Sequence, residues 1–140
     1  MKFSEISKEQ WDELQPYLDT CLLPVTGMNG TETPYEATEK LEKLRDMMDM
    51  VEGPFKGRVV TYPACHYATG ESSMGRELDV WCARLKAAGF KYIILITADW
   101  ALSFQSPLAD LVLQPKNEEE WPDAREVSSQ IRALWERKSP

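Results

Sequence analysis

The sequence predicts an α/β domain, a three-layer sandwich whose mostly parallel central sheet of about four strands is flanked by helices. Three observations carry this expectation. Segments with strand character and helix character alternate along the chain. Tyr92-Ile93-Ile94-Leu95-Ile96-Thr97 is apolar on both faces, as a strand covered from both sides must be. Finally, 140 residues, 43% apolar and 28% charged, suit one globular domain spanning residues 1–140, with a core of ordinary size.

Taken in order, Ser7 and Gln10 have the spacing of a capping box, and Trp11, Leu14 and Leu18 recur at helical intervals. Pro16 removes an amide donor, which predicts a kink or two short helices. The brief apolar run Thr20-Cys21-Leu22-Leu23-Pro24-Val25 reads as a buried strand that ends, or meets an unpaired edge, at Pro24. Thr33, Pro34 and Glu36 then open the clearest helix, with Ala37, Leu41, Leu44, Met48 and Val51 along one face. Gly53-Pro54 is expected to stop it through a left-handed cap.

Arg58-Val59-Val60-Thr61-Tyr62 is β-branched and bounded by Gly57 and Pro63, the pattern of a second strand. A polar loop from Ala68 to Ser73 leads to a helix that should bury Leu78, Trp81, Cys82 and Leu85 and end at Gly89. After the central strand at 92–97, Asp110-Leu111-Val112-Leu113-Gln114 is a shorter fourth strand. The link from Asp99 to Leu108 is barely long enough for a parallel crossover, which leaves that strand's direction open. A last helix begins near Pro122 and presents Val127, Ile131, Leu134 and Trp135.

Composition narrows the function classes. With 23 acidic against 16 basic residues the net charge is −7, so nucleic-acid phosphates and anionic membranes repel the chain. Lys40, Lys43 and Arg45 alternate with Glu39, Glu42 and Asp46, which reads as a solvated helix face. Neither nucleic acid nor membrane is expected as a partner. Cys21, Cys65 and Cys82 cannot all pair, no apolar run approaches the length of a membrane span, and the first residues do not form a signal peptide. The expected location is cytoplasmic.

In open α/β sheets ligands gather beyond the carboxyl ends of the strands. Those ends supply Thr26, Gly27, Met28 and Asn29, then Pro63, Cys65, His66 and Tyr67, then Asp99 and Trp100, and lastly Gln114. His66 is the sole histidine and the candidate acid–base group, with Asp99 as its orienter or as a metal ligand. Against that stand a loop histidine bonded to backbone or water, and an aspartate capping the turn over Ala101 and Leu102. Thr26, Gly27, Asn29, Cys65, Tyr67 and Trp100 are candidate ligand contacts. Cys65 and His66 are adjacent, so on extended backbone they point apart and suit direct proton transfer poorly. No cofactor is implied: Gly70–Gly75 lacks the lysine of a phosphate loop, no G-x-G-x-x-G or G-x-S-x-G occurs, and one histidine makes a poor start for a zinc or two-metal centre.

Trp100 and Phe104, with Leu102 and Leu108, form an apolar connection that either folds back on the sheet or makes a contact surface. A homodimer or a cytosolic protein partner follows from the second alternative. Missing catalytic constellations favour a non-enzymatic binding or interaction domain; the alternative is a hydrolase-like enzyme using His66 and Asp99.

The stretches Leu18-Asp19-Thr20-Cys21-Leu22-Leu23-Pro24-Val25-Thr26-Gly27 and Phe55-Lys56-Gly57-Arg58-Val59-Val60-Thr61-Tyr62-Pro63-Ala64 resemble the YpiF-like family of Bacillus and its relatives. That resemblance implies a small cytosolic protein of spore-forming bacteria and assigns no reaction. Leu23-Pro24-Val25-Thr26-Gly27 is also similar to the strand end of creatininase-like amidohydrolases. Their metal-binding glutamate and histidines have no counterpart here, so this second likeness implies the fold alone.

Overall fold

The computed structural model describes residues 1–67, 71–103 and 106–138. A short 3-10 turn, Phe3–Glu5, precedes α1 (Lys8–Leu14). There follow β1 (Thr20–Met28), α2 (Pro34–Glu52), β2 (Val59–Thr61), β3 (Cys65–Tyr67), α3 (Glu71–Ala87), β4 (Tyr92–Ile96), β5 (Leu111–Leu113) and α4 (Ala124–Lys138).

All the strand pairs are parallel, β5 with β4 included, which closes the question of its direction. The order is β2-β1-β4-β5, and β3 also pairs with β1. β2 and β3 share one side of β1: β2 pairs with Thr20–Leu22, and β3 takes over at Val25. Lys2 adds a parallel bridge to Thr61 on the outer edge of β2.

This division corrects the expectation for Pro24. The residue lies inside β1, paired on its other side with Ile96 of β4, and is neither an end nor an edge. Amides along a strand alternate in direction. The Thr20 amide donates to Arg58 O at 3.2 Å, so position 24 aims its missing N–H toward the same neighbour. That neighbour is interrupted there, between Thr61 and Cys65. The last ladder bond on that side is the Tyr62 amide donating to Leu22 O at 2.9 Å, just short of the proline.

The sheet is covered on both faces. On one, Leu44, Met47 and Val51 of α2 and Val127, Ile131 and Leu134 of α4 pack on Leu22, Ile94, Ile96 and Leu113. On the other, Leu78 and Cys82 of α3 lie over Cys21, Leu23, Ile93 and Leu95, with Trp11 and Leu14 of α1 at the margin. The two strand faces therefore bury alternate residues of the same strands, and β4 is buried throughout.

Local chemistry fixes the helix ends. Ser7 and Gln10 exchange hydrogen bonds at 2.9 and 3.2 Å, and the Thr33 amide donates to Glu36 at 3.0 Å, as the capping boxes predict. α1 is a single short helix that stops before Pro16. Gly53 is right-handed at φ −61°, so α2 ends without the left-handed cap; Gly89, at φ +121°, is the residue that turns left-handed after α3. Trp81 is exposed, with Arg84 over its ring at 5.3 Å, and Leu41 is exposed too. The buried face of α3 is set by Met74, Leu78 and Cys82, with Leu85 partly buried against the same core.

The amino ends of the strands are tied by polar contacts. Arg58 grips Asp19 with two bonds of 2.9 and 3.2 Å and stacks 4.0 Å over the Trp135 ring, whose indole N–H donates to Thr20. Asp110 pairs with Lys86 at 3.2 Å and accepts the Ile93 amide at 2.8 Å, extending the β4–β5 ladder by one side chain.

Candidate functional site

The strand order changes direction between β1 and β4. From β1 the chain crosses to β2 on one side, and later strands are added on the other. In a parallel sheet this reversal separates the two following connections and leaves a crevice at the carboxyl ends. A cleft of about 220 Å³ opens there. β1 lends it Thr26, and the turn after β4 lends Ala98, Asp99 and Trp100. Lys40 and Lys43 reach it from α2, and Glu118 and Trp121 from the segment before α4.

Two strand ends meet closely beside it, at Asp99 of the lining and at Gly27, which is not itself a lining residue. Gly27 is left-handed at φ +77°, and a Cβ there would lie 2.8 Å from Asp99 Oδ2. Only a residue without a side chain lets this carboxylate approach β1. The other oxygen, Oδ1, accepts the Ala101 amide at 3.0 Å, the turn-capping role. The Asp99 amide itself donates to the buried Thr97 hydroxyl. Gln114, at the end of β5, donates to the carbonyls of Asp99 and Leu102, which holds the loop bearing Trp100 against the sheet.

Thr26 is buried, and its hydroxyl donates to His66 O at 2.6 Å, fastening β3 to the end of β1. His66 is exposed on β3, and β3 lies along the carboxyl half of β1. Neither His66 nor Cys65 belongs to the lining of the cleft. Cys65 is half-buried, and burial pushes its thiol up to about 11, away from the nucleophilic thiolate. Asn29 is exposed and spends its side-chain oxygen on the amide and hydroxyl of Thr31. Tyr67 lies on β3, its side chain outside the described residues, as are residues 68–70 and Phe104. Among the described residues no three His, Cys, Asp or Glu side chains are grouped so as to hold a metal ion.

The turn after β1 is occupied by the protein's own carboxylate. Glu32 accepts the Asn29 amide at 3.1 Å and the Gly30 amide at 3.0 Å, with Lys40 Nζ 3.6 Å away. Partial burial alone would raise its carboxyl, but those two amides and the lysine outweigh it and hold the group below its ordinary range.

The lysines, Glu118 and the second tryptophan are the site residues that sequence reasoning passed over. Lys40 and Lys43 sit in a mixed-charge helix and look solvated. The available signal is their place one to three turns into the helix that follows β1, which must start at the carboxyl edge of the sheet. Trp121 follows an acidic run, where the indole N–H donates to Glu118 O at 3.3 Å.

Residues 9–115 match the family model described as protein of unknown function (DUF2487), and the chain belongs to that family. No curated protein and no solved structure matches it. No helix among the described residues is long and apolar enough to cross a membrane.

Proposed function

We propose that this protein is a binding domain that seats a small ligand between the carboxyl ends of β1 and β4 without covalent chemistry on it. The carrying observation is the cleft at the reversal of strand order, flanked by Trp100 and Trp121. Indole rings at 47% and 39% exposure leave large apolar faces open to a ligand. The elevated Cys65 thiol and the use of Asp99 Oδ1 as a cap also favour binding over catalysis.

A hydrolase-like reading, with His66 as acid–base group and Asp99 as its orienter, has one observation in its favour. β3 and β4 both flank β1, and both residues stand toward its carboxyl end. The likeness to YpiF-like proteins adds a setting, the cytoplasm of a spore-forming bacterium, which accords with three free thiols. The likeness to creatininase-like amidohydrolases supports the strand end at Leu23–Gly27 and no metal chemistry. Exposed Val80, Trp81 and Leu108 stand apart from the cleft and would serve a second copy or a protein partner.

The test is a thermal-shift screen of metabolites, nucleotides and metal ions, repeated on three variants. A ligand at a hundred times its Kd adds about 2.7 kcal/mol of stability. That gain should vanish in Trp121→Ala and in Trp100→Ala and persist in Trp81→Ala. Loss of the gain in His66→Ala, with turnover of the ligand, would establish the hydrolase reading instead. Stabilisation indifferent to both cleft tryptophans refutes the proposed site.

A further inference from the structure

We infer that the cleft selects a small zwitterion, a molecule presenting an anionic group to Lys43 and a cationic group to Glu118 and the tryptophan faces. This rests on the binding reading above and narrows it to a ligand class.

Several of the charges around the cleft are already spent. Lys40 lies 3.6 Å from Glu32, a carboxylate that also holds two backbone amides, so both are committed to the turn after β1. Asp99 gives one oxygen to Ala101 and turns the other onto Gly27. Lys43 and Glu118 differ: among the described residues neither makes an ion pair within 4.0 Å. They line the same cleft, one from α2 and one from the segment before α4. The site thus offers one uncommitted charge of each sign.

A purely anionic ligand meets Lys43 but carries its charge toward Asp99 and Glu118. A purely cationic one meets Glu118 and faces Lys40 and Lys43. Each leaves a like-charge contact that works against it, whereas a molecule with both signs leaves none. Indole faces attract cations through the ring quadrupole, and Trp100 and Trp121 both offer them here.

Three probes on one scaffold separate the charges: L-phenylalanine, 3-phenylpropanoate and 2-phenylethylamine. Each is titrated at pH 7 into the full chain carrying ¹⁵N-labelled tryptophan, and the indole signals of Trp100 and Trp121 are followed. Phenylalanine should bind at least tenfold more tightly than either half-probe. Lys43→Met should weaken phenylalanine and phenylpropanoate at least fivefold and spare phenylethylamine; Glu118→Gln should weaken phenylalanine and phenylethylamine at least fivefold and spare phenylpropanoate. Equal affinity for the three probes, or a Lys43→Met effect common to all, overturns the zwitterion and leaves the binding reading standing. Silence of all three, while some other ligand shifts the same tryptophans, does likewise. Silence of those tryptophans toward every ligand overturns both.

Discussion

Alanine at Gly27 probes the closest contact in the candidate site. Two costs are expected. The backbone there is left-handed at φ +77°, which an L side chain adopts at about 1 kcal/mol or slightly more. The new Cβ would also fall 2.8 Å from Asp99 Oδ2 and 3.2 Å from Asp99 Cβ. Asp99 must then move, and its cap on Ala101 is weakened at a further cost of about 1–2 kcal/mol. The sum is about 2–3 kcal/mol; at ~2.1 cal/mol/K per residue this lowers the Tm of a chain this long by roughly 7–10 °C.

Gly30 supplies the control, since it is left-handed at φ +96° but has nothing within 4 Å of its Cβ position. Gly30→Ala should therefore show the backbone cost alone, about 1 kcal/mol. In an Asp99→Ala background the carboxylate contact is gone while the 3.2 Å approach to Cβ of residue 99 remains, and the cost of Gly27→Ala should fall toward the Gly30→Ala value. Thermal and urea unfolding followed by circular dichroism measure the parent and all four variants. If Gly27→Ala costs no more than Gly30→Ala, or costs the same with and without the Asp99 carboxylate, the close approach is not what demands glycine.

Two further outcomes follow from the contacts described. Arg58→Ala removes both bonds to Asp19 and the stack on Trp135, and should cost about 2 kcal/mol after allowance for partial exposure. Arg58→Lys, which keeps the charge and loses the planar stack, should recover less than half of that in urea titrations; an alanine variant within about 0.5 kcal/mol of the parent would refute the role. Cys65, lifted from 9.0 to about 11, should carry about a hundredfold less thiolate at pH 8 than a cysteine of the unfolded chain. Its alkylation by iodoacetamide, read peptide by peptide in a mass spectrometer, should be correspondingly slow and quicken up to about pH 11. Because the unfolded chain ionises first, this thiol's contribution to native stability is present below about pH 9 and is lost as pH rises toward 11; labelling at pH 8 as fast in native as in unfolded protein would refute it.

Much of the fold is legible because its signals are local. Ser7 with Gln10 and Thr33 with Pro34 and Glu36 mark helix starts within four residues, and the uninterrupted apolar run at 92–96 marks the buried centre of the sheet. What sequence reasoning misplaces depends on distant neighbours. Pro24 looks like a terminator because proline's cost in a sheet depends on what stands beside it, and the break that accommodates it lies at residues 62–64. Trp81 shares a helical interval with Leu78, Cys82 and Leu85, and the interval alone does not say which edge of that stripe meets the sheet. The candidate site divides the same way. Gly27, Asp99 and Trp100 are readable as strand-end residues, whereas the contact between Gly27 and Asp99, and the reach of Lys43 and Trp121 into one cleft, arise only when strands and helices remote in sequence are assembled.

Pro24 also guards the way the chain assembles. Were β1 to slip by two residues against its neighbours, its faces would still match and the apolar pattern would raise no objection. The slip would, however, set a position with no donor opposite a buried carbonyl of Val60 or its equivalent. An acceptor stranded in that way costs about 1–3 kcal/mol. A residue usually kept out of sheet interiors thereby serves as a key that fits one alignment of the strands and obstructs its nearest rivals.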